Sequence, residues 1–169
     1  MHITTIEDFL DYFERVRERT RRVAALAPPD RLEWRPREDR FSLGDLIRHI
    51  GATERWMWAE NVCGRPSRYP GCGIELASGY DAVLAYLDAM HAEATTIFGS
   101  LTAEDLQRRV PTPGGVQLTA WKWLRAMVEH EIHHRGQIYE RLADLGVAAP
   151  PLYGLTEPQV LANSEPRRH

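Results

Sequence analysis

Apolar residues recur every three or four positions along four stretches of the chain. In the first, Ile6, Phe9, Leu10, Phe13, Val16, Thr20, Val23 and Ala27 fall on one face, and most positions between them are charged. That is the pattern of an amphipathic helix with one buried stripe. Thr4 with Glu7, or Thr5 with Asp8, supplies a capping box at its start, and Pro28-Pro29 stops it. A second stripe, Leu43, Leu46, Ile47, Ile50, Glu54 and Met57, follows Ser42 with Asp45 as its box partner and ends near Gly64, just before Pro66. The third opens at Ser78 with Asp81 in the box position and carries Tyr80, Val83, Leu84, Leu87, Met90, Ala94, Phe98 and Leu101. The fourth, capped by Thr119 and running to Leu145 with Gly146 beyond, aligns Leu124, Met127, Ile138, Leu142 and Leu145. The pattern therefore predicts helices over about 5–27, 43–63, 79–101 and 119–145.

The segments between are short of periodicity. Residues 30–41 contain Glu33-Trp34-Arg35-Pro36. Residues 65–77, rich in Pro, Gly, Ser and Tyr, read as a surface crossover, because neither flanking helix can bury its apolar face alone. After Thr102, Pro111, Pro113, Gly114 and Gly115 mark an irregular or hairpin segment. The tail from Pro150 to Thr156 is placed over the bundle end, with a last short helix starting at Thr156. Four helices of about 20 residues, without a repeat or an alternating strand run, predict an all-α four-helix bundle forming a single domain over 1–169.

Composition narrows the function classes. With 43% hydrophobic residues and 21 Lys+Arg against 24 Asp+Glu, the 169-residue chain has the make-up of a folded globular protein of charge -3. It lacks the basic excess that a sequence-independent grip on nucleic acid requires. No apolar run reaches the roughly 18 residues of a membrane span. The opening residues, Met1 to Asp8, carry neither a basic nor an apolar leader region, so a cytoplasmic location is expected. Cys63 and Cys72 match no zinc-ribbon or thioredoxin spacing and are read as two reduced thiols.

The histidines carry the candidate chemistry. His130 and His134 lie one turn apart on the fourth helix, within or at the edge of its stripe, whereas His133 points away to the surface. Imidazoles at i and i+4 can hold one divalent cation or can be a hydrogen-bonded core pair. His49, flanking the stripe of the second helix, is a candidate third ligand, and three imidazoles with open positions make a catalytic type of site. Gln137, one turn beyond His134, is either an orienting partner or a half-exposed helix residue. Glu131 sits on the apolar face, so it is either the partner of a buried Arg, Trp or His, or a group acting on a metal-bound ligand. His91 lies on the third apolar face, as a core histidine, a fourth ligand or a pocket acid/base. Glu131 and His91 are thus the catalytic candidates. His2 and His169 are given no role.

His130-Glu131-Ile132-His133-His134 also satisfies the H-E-x-x-H zinc-protease pattern. Gln137 stands where the longer protease motif needs Gly, and no edge strand is in view to hold a peptide, so the protease reading is set aside. The Trp56/Trp58 and Trp121/Trp123 pairs point one ring of each outside the core, which leads to the expectation of a homodimer.

The run from His130 to Ile138, together with Trp34-Arg35-Pro36, the Leu43–His49 segment and Pro151-Leu152-Tyr153-Gly154-Leu155, resembles the DinB/YfiT-like superfamily over residues 5–160 or so. The resemblance implies an up-down-down-up bundle binding a divalent metal through three histidines, which match His49, His130 and His134 here, with His133 not a ligand. Three imidazoles suit zinc, nickel or iron, and copper as well, without choosing among them; members of the family include thiol-dependent S-transferases and a mycothiol-dependent isomerase, so the resemblance brings in a thiol cosubstrate. The resulting expectation is a metal-dependent thiol S-transferase acting on a small electrophile. The alternatives are a metal-dependent hydrolase of small esters or amides and a non-enzymatic, stress-linked metal-binding protein.

Overall fold

The structure, a computed structural model, describes residues 3–164. Four long helices dominate them: α1 (Ile6–Ala24), α2 (residues 43–62), α3 (Tyr80–Gly99) and, after a short α4 (Ala103–Gln107) and a small hairpin, α5 (Ala120–Asp144). The hairpin pairs β1 (Arg109–Pro111) with β2 (Gln117–Thr119) antiparallel, Val110 opposite Leu118. A terminal α6 (Glu157–Asn163) opens with a Thr156/Gln159 capping box, at the expected place.

The apolar stripes collect into two clusters, one at each end of the bundle. One joins Ile6, Phe9 and Phe13 at the start of α1 with Trp58 and Val62 at the end of α2, Phe98 at the end of α3 and Leu124 at the start of α5. The other joins Val23 at the end of α1 with Leu43, Leu46 and Ile47 at the start of α2, Val83 and Leu87 at the start of α3 and Ile138 and Leu142 at the end of α5. So α1 and α5 run one way and α2 and α3 the other, which is the up-down-down-up order. Each of α2 and α3 packs on the other, and α1 and α5 likewise, with α1 against α3 and α2 against α5. Since α2 and α3 are parallel, the chain must travel back along the bundle between them, and residues 64–79 do this.

Local chemistry sets most helix ends as expected. The Ser42 side chain accepts from the Asp45 amide at 3.0 Å while Asp45 accepts from the Ser42 amide at 3.0 Å. Thr5 caps α1 through the Asp8 amide. Three details depart from the sequence reading. First, α1 stops at Ala24 rather than Ala27, because Leu26 and Ala27 turn back onto Val23 and Ala24 in tighter i−3 bonds before the prolines. Second, α3 is capped by Gly79 at φ 86, not by Ser78; a left-handed backbone there suits glycine and puts the serine outside the helix. Third, α2 is α-helical over Leu43–Thr53, becomes a π turn over Glu54–Trp58 and resumes as α-helix over Ala59–Val62.

The π turn inserts one extra residue, its closing bond running from the Ala59 amide to the Glu54 carbonyl. The buried face is thereby displaced by one position, so Trp58 enters the core and Met57 is only half-buried. Trp58 packs against Trp123 with ring centroids 3.9 Å apart and the planes tilted by 44°. Trp56 stays half-buried, with the Arg55 and Arg68 guanidiniums over its ring at 4.1 and 4.9 Å.

Between the apolar clusters lies a charged layer. Arg17, 0% exposed, donates to Glu54 of the π turn and, at 2.9 Å, to Glu131 of α5. Glu131 also accepts from the Thr20 hydroxyl at 2.6 Å. His91 of α3 reaches Glu54 through Nδ1 at 2.8 Å and Glu14 through Nε2 at 2.9 Å. Arg17 stands four after Phe13 and three before Thr20, which puts it on the buried stripe despite its charge.

Candidate metal centre

Two helices bring the three histidines together. His49 stands in the second turn of α2, ahead of the π turn, and His130 and His134 stand one turn apart on α5, the helix packed beside it. The Nε2 of His130 is 3.1 Å from the Nε2 of His49 and 3.1 Å from the Nε2 of His134. All three donor atoms lie within 4.8 Å of one another, and among the described residues no carboxylate or thiol joins the group. His134 is buried, and His49 and His130 are half-buried, so the cluster sits at a mouth open on one side.

The outer ring nitrogens are held by partners. His134 Nδ1 is 2.7 Å from the Gln137 carbonyl oxygen, a pure acceptor, so Nδ1–H donates and Nε2 keeps its lone pair. His49 Nδ1 is 2.7 Å from the Tyr69 hydroxyl, a group that can donate to that nitrogen or accept from it, so Tyr69 holds the ring without choosing its tautomer. His134 Nε2 therefore turns a lone pair to His130 Nε2; a proton on His130 Nε2 serves only one of its two neighbours well, and a lone pair there is set against that of His134. With either His49 tautomer one contact of the cluster is unmatched, and a cation bound to the three nitrogens removes the mismatch. The residues present fit a divalent metal ion.

Electrostatics agree. Burial, with repulsion from His134, pushes His49 down to about 4, and burial with the neighbouring imidazoles pushes His130 down to about 3. Burial also lowers His134, against the opposing pull of Gln137. Neutral imidazoles at pH 7 are what a metal needs of its ligands. Phe41 packs its ring 5.3 Å from His49 and 6.5 Å from His134, an apolar wall on one side of the mouth.

A family model for the DinB superfamily matches residues 12–138. The chain belongs to the DinB superfamily. Uncharacterized protein YjoA of Bacillus subtilis (strain 168) is 27% identical over 147 residues, covering 85% of this chain and 93% of YjoA. The crystal structure of YjoA superposes with a TM-score of 0.71 at 21% identity, over 88% of this chain and 99% of that one. A DinB-like protein from Bacillus cereus ATCC 10987 gives 0.74 at 18% identity, over 89% and 99%. YfiT from Bacillus subtilis, described as a probable metal-dependent hydrolase with an unusual four-helix bundle topology, gives 0.67 at 16% identity, over 85% and 89%. These likenesses establish the DinB fold for the described residues.

Against this DinB frame the candidate residues sort clearly. His49, His130 and His134 converge, and Gln137 bonds one of them. His133 is exposed, its ring 5.0 Å from that of His134. Glu131, although next to His130 in sequence, turns to Arg17 and Thr20 in the charged layer, and His91 is held there by Glu54 and Glu14. Of the cysteines, Cys72 reaches the site's edge through Tyr69, while Cys63 packs against the apolar cluster at the far end of α2. Tyr69 and Phe41 escape sequence reasoning: both lie in connections without periodicity, and neither carries a motif.

Proposed function

We propose that His49, His130 and His134 hold one divalent transition-metal ion, zinc, nickel or iron, and that the protein is a thiol-dependent transferase acting on a small electrophile. The observation that carries this reading is the engagement of Glu131. Both of its oxygens are bonded inside the bundle, and no other carboxylate of the described residues joins the histidines. The site therefore suits a nucleophile that needs no resident carboxylate base. A thiol, with an ordinary pKa of about 8.5, is far closer to ionisation at neutral pH than water.

When bound, the ion supplies the positive charge that favours a thiolate over a thiol. The chain's own residues do the rest. Gln137 and Tyr69 hold the outer nitrogens of two imidazoles so that each Nε2 faces inward. Phe41 shields one side of the mouth from water. In the transfer, the thiol proton leaves to solvent, sulfur forms a bond to the electrophilic carbon, and the leaving group departs with its electron pair.

The test is calorimetric titration of metal-loaded and chelated protein with glutathione, bacillithiol and mycothiol, followed by conjugation to an aryl halide. Binding of one thiol only in the loaded protein, and conjugate formation abolished in His134→Ala, are expected. A second reading rests on the fold shared with YfiT, whose description is that of a probable metal-dependent hydrolase. Ester or amide turnover lost in His134→Ala, with no metal-dependent thiol binding, selects that reading instead. Neither activity, with a large fall in melting temperature on chelation, selects a structural metal centre.

A further inference from the structure

On the other side of α5 from the histidines, the segment after the bundle folds back across α1. It leaves a cavity of about 570 Å³ lined by Arg19, Arg22 and Val23 of α1, Tyr139 of α5 and residues 150–154. No lining residue is shared with the histidine cluster, and none is acidic. Tyr139 ties the segment down by donating its hydroxyl to the Pro150 carbonyl at 3.0 Å, and the Arg19 guanidinium lies 5.5 Å from the centre of the Tyr153 ring.

The charge around this cavity is unusual for the chain. Elsewhere most arginines sit within 4 Å of a carboxylate, as Arg15, Arg17, Arg21, Arg48, Arg55 and Arg65 do. Arg19 and Arg22 form no ion pair among the described residues; the Arg19 Nη1 donates instead to the Arg15 carbonyl at 3.3 Å. Arg135 of α5, 3% exposed, likewise has no ion pair there and donates to the Val16 carbonyl at 3.1 Å. It stands one turn before Tyr139 on α5 and bonds α1 three residues before Arg19, which places it beside the same cavity. Glu131 also attracts it, but the oxygens of that carboxylate are bonded to Arg17 and Thr20. Two open guanidiniums backed by a buried one make a positive rim, and two tyrosines with Pro150, Pro151 and Leu152 make flat apolar walls.

We propose that this cavity is a second ligand site, separate from the metal centre, for a small organic anion with a flat apolar body such as an aryl phosphate or aryl carboxylate. Its volume is within the range of small-molecule sites. Guanidiniums bind such head groups through charge-assisted paired hydrogen bonds and stack on aromatic faces.

The experiment is calorimetric titration of the metal-loaded full chain with phenyl phosphate, inorganic phosphate and benzyl alcohol. Phenyl phosphate is expected to bind one per chain, at least about tenfold more tightly than either of the others, since only it carries both features. Arg19→Glu combined with Arg22→Glu is expected to weaken it at least about tenfold with little change in melting temperature, neither arginine being buried or ion-paired among the described residues. Tyr153→Ala is expected to narrow the gap between phenyl phosphate and inorganic phosphate. His134→Ala, or chelation, is expected to leave binding unchanged. Absence of phenyl phosphate binding, equal affinity for benzyl alcohol, retention in the arginine variant, or loss in His134→Ala would each overturn the proposal, the last by moving the ligand to the metal centre.

Discussion

The properties of single residues at the metal centre are set by what stands behind them. Tyr69 and Gln137 each hold the outer nitrogen of a histidine at 2.7 Å. Removing such a partner lets the ring rotate and change tautomer, and typically weakens metal affinity about 10–100-fold. Tyr69→Phe and Gln137→Ala are each expected to do so in a competition titration against a chromogenic chelator, with the fold intact by circular dichroism. Unchanged affinity in both would mean that the rings are held by packing alone. The depressed histidines also make a pH prediction. His49 and His130 titrate near 4 and near 3 in the folded chain against an ordinary 6.5. As pH falls from about 6.5 to about 4, the unfolded chain therefore takes up protons that the folded chain refuses. Stability of the metal-free protein is thus full above about pH 6.5 and declines as pH falls through that window. Melting temperatures of chelated protein at pH 7, 6 and 5 test this, and His49→Gln is expected to flatten the curve. At this scale the sequence is readable where a side chain belongs to a period. His49, His130 and His134 stand out by helical spacing and by resemblance, whereas Tyr69 sits in a connection whose course depends on the helices it spans.

The helices were legible through their stripes and caps, and the exceptions have physical causes. The Ser42–Asp45 box is visible in four residues of sequence, and Ser42→Ala is expected to cost about 1 kcal/mol in chemical denaturation. The π turn is invisible to a period of 3.6, because one added residue moves every later side chain round the axis; this is why Trp58, rather than Met57, is in the core. Gly44 has a similar hidden role. A Cβ there would stand 2.5 Å from Glu33 Oε1 and 3.0 Å from the Arg48 guanidinium, so glycine lets the 30–41 connection close on α2. The clearest mutation at this scale is Arg17→Met. It leaves Glu54 and Glu131 facing each other in the interior without their cation. A loss of about 3–5 kcal/mol is expected by urea denaturation, as for other buried pairs broken on one side. A change under 1 kcal/mol would mean that water reaches the layer.

At the scale of the whole molecule, the order of helix directions decides where the variable chain goes. Parallel α2 and α3 force a long return path, and that path brings Tyr69 to His49 and the carbonyl of Cys72 to Arg48, at 2.8 Å. The charged layer has a different consequence, for phase. Apolar stripes repeat each turn, so two helices joined only by such stripes can settle one turn, about 5.4 Å, out of step at modest cost. Arg17 cannot serve Glu54 and Glu131 at once unless α2 and α5 stand at one height. Those carboxylates flank the histidines in sequence, Glu131 directly after His130 and Glu54 five residues after His49. Replacing the trio by Met, Leu and Leu is expected to preserve or raise resistance to urea, as it can when buried ions give way to well-packed apolar groups, while metal affinity falls. Charge at that depth is a poor adhesive but a good gauge, and the height it sets is the one at which a histidine of one helix comes level with two of another.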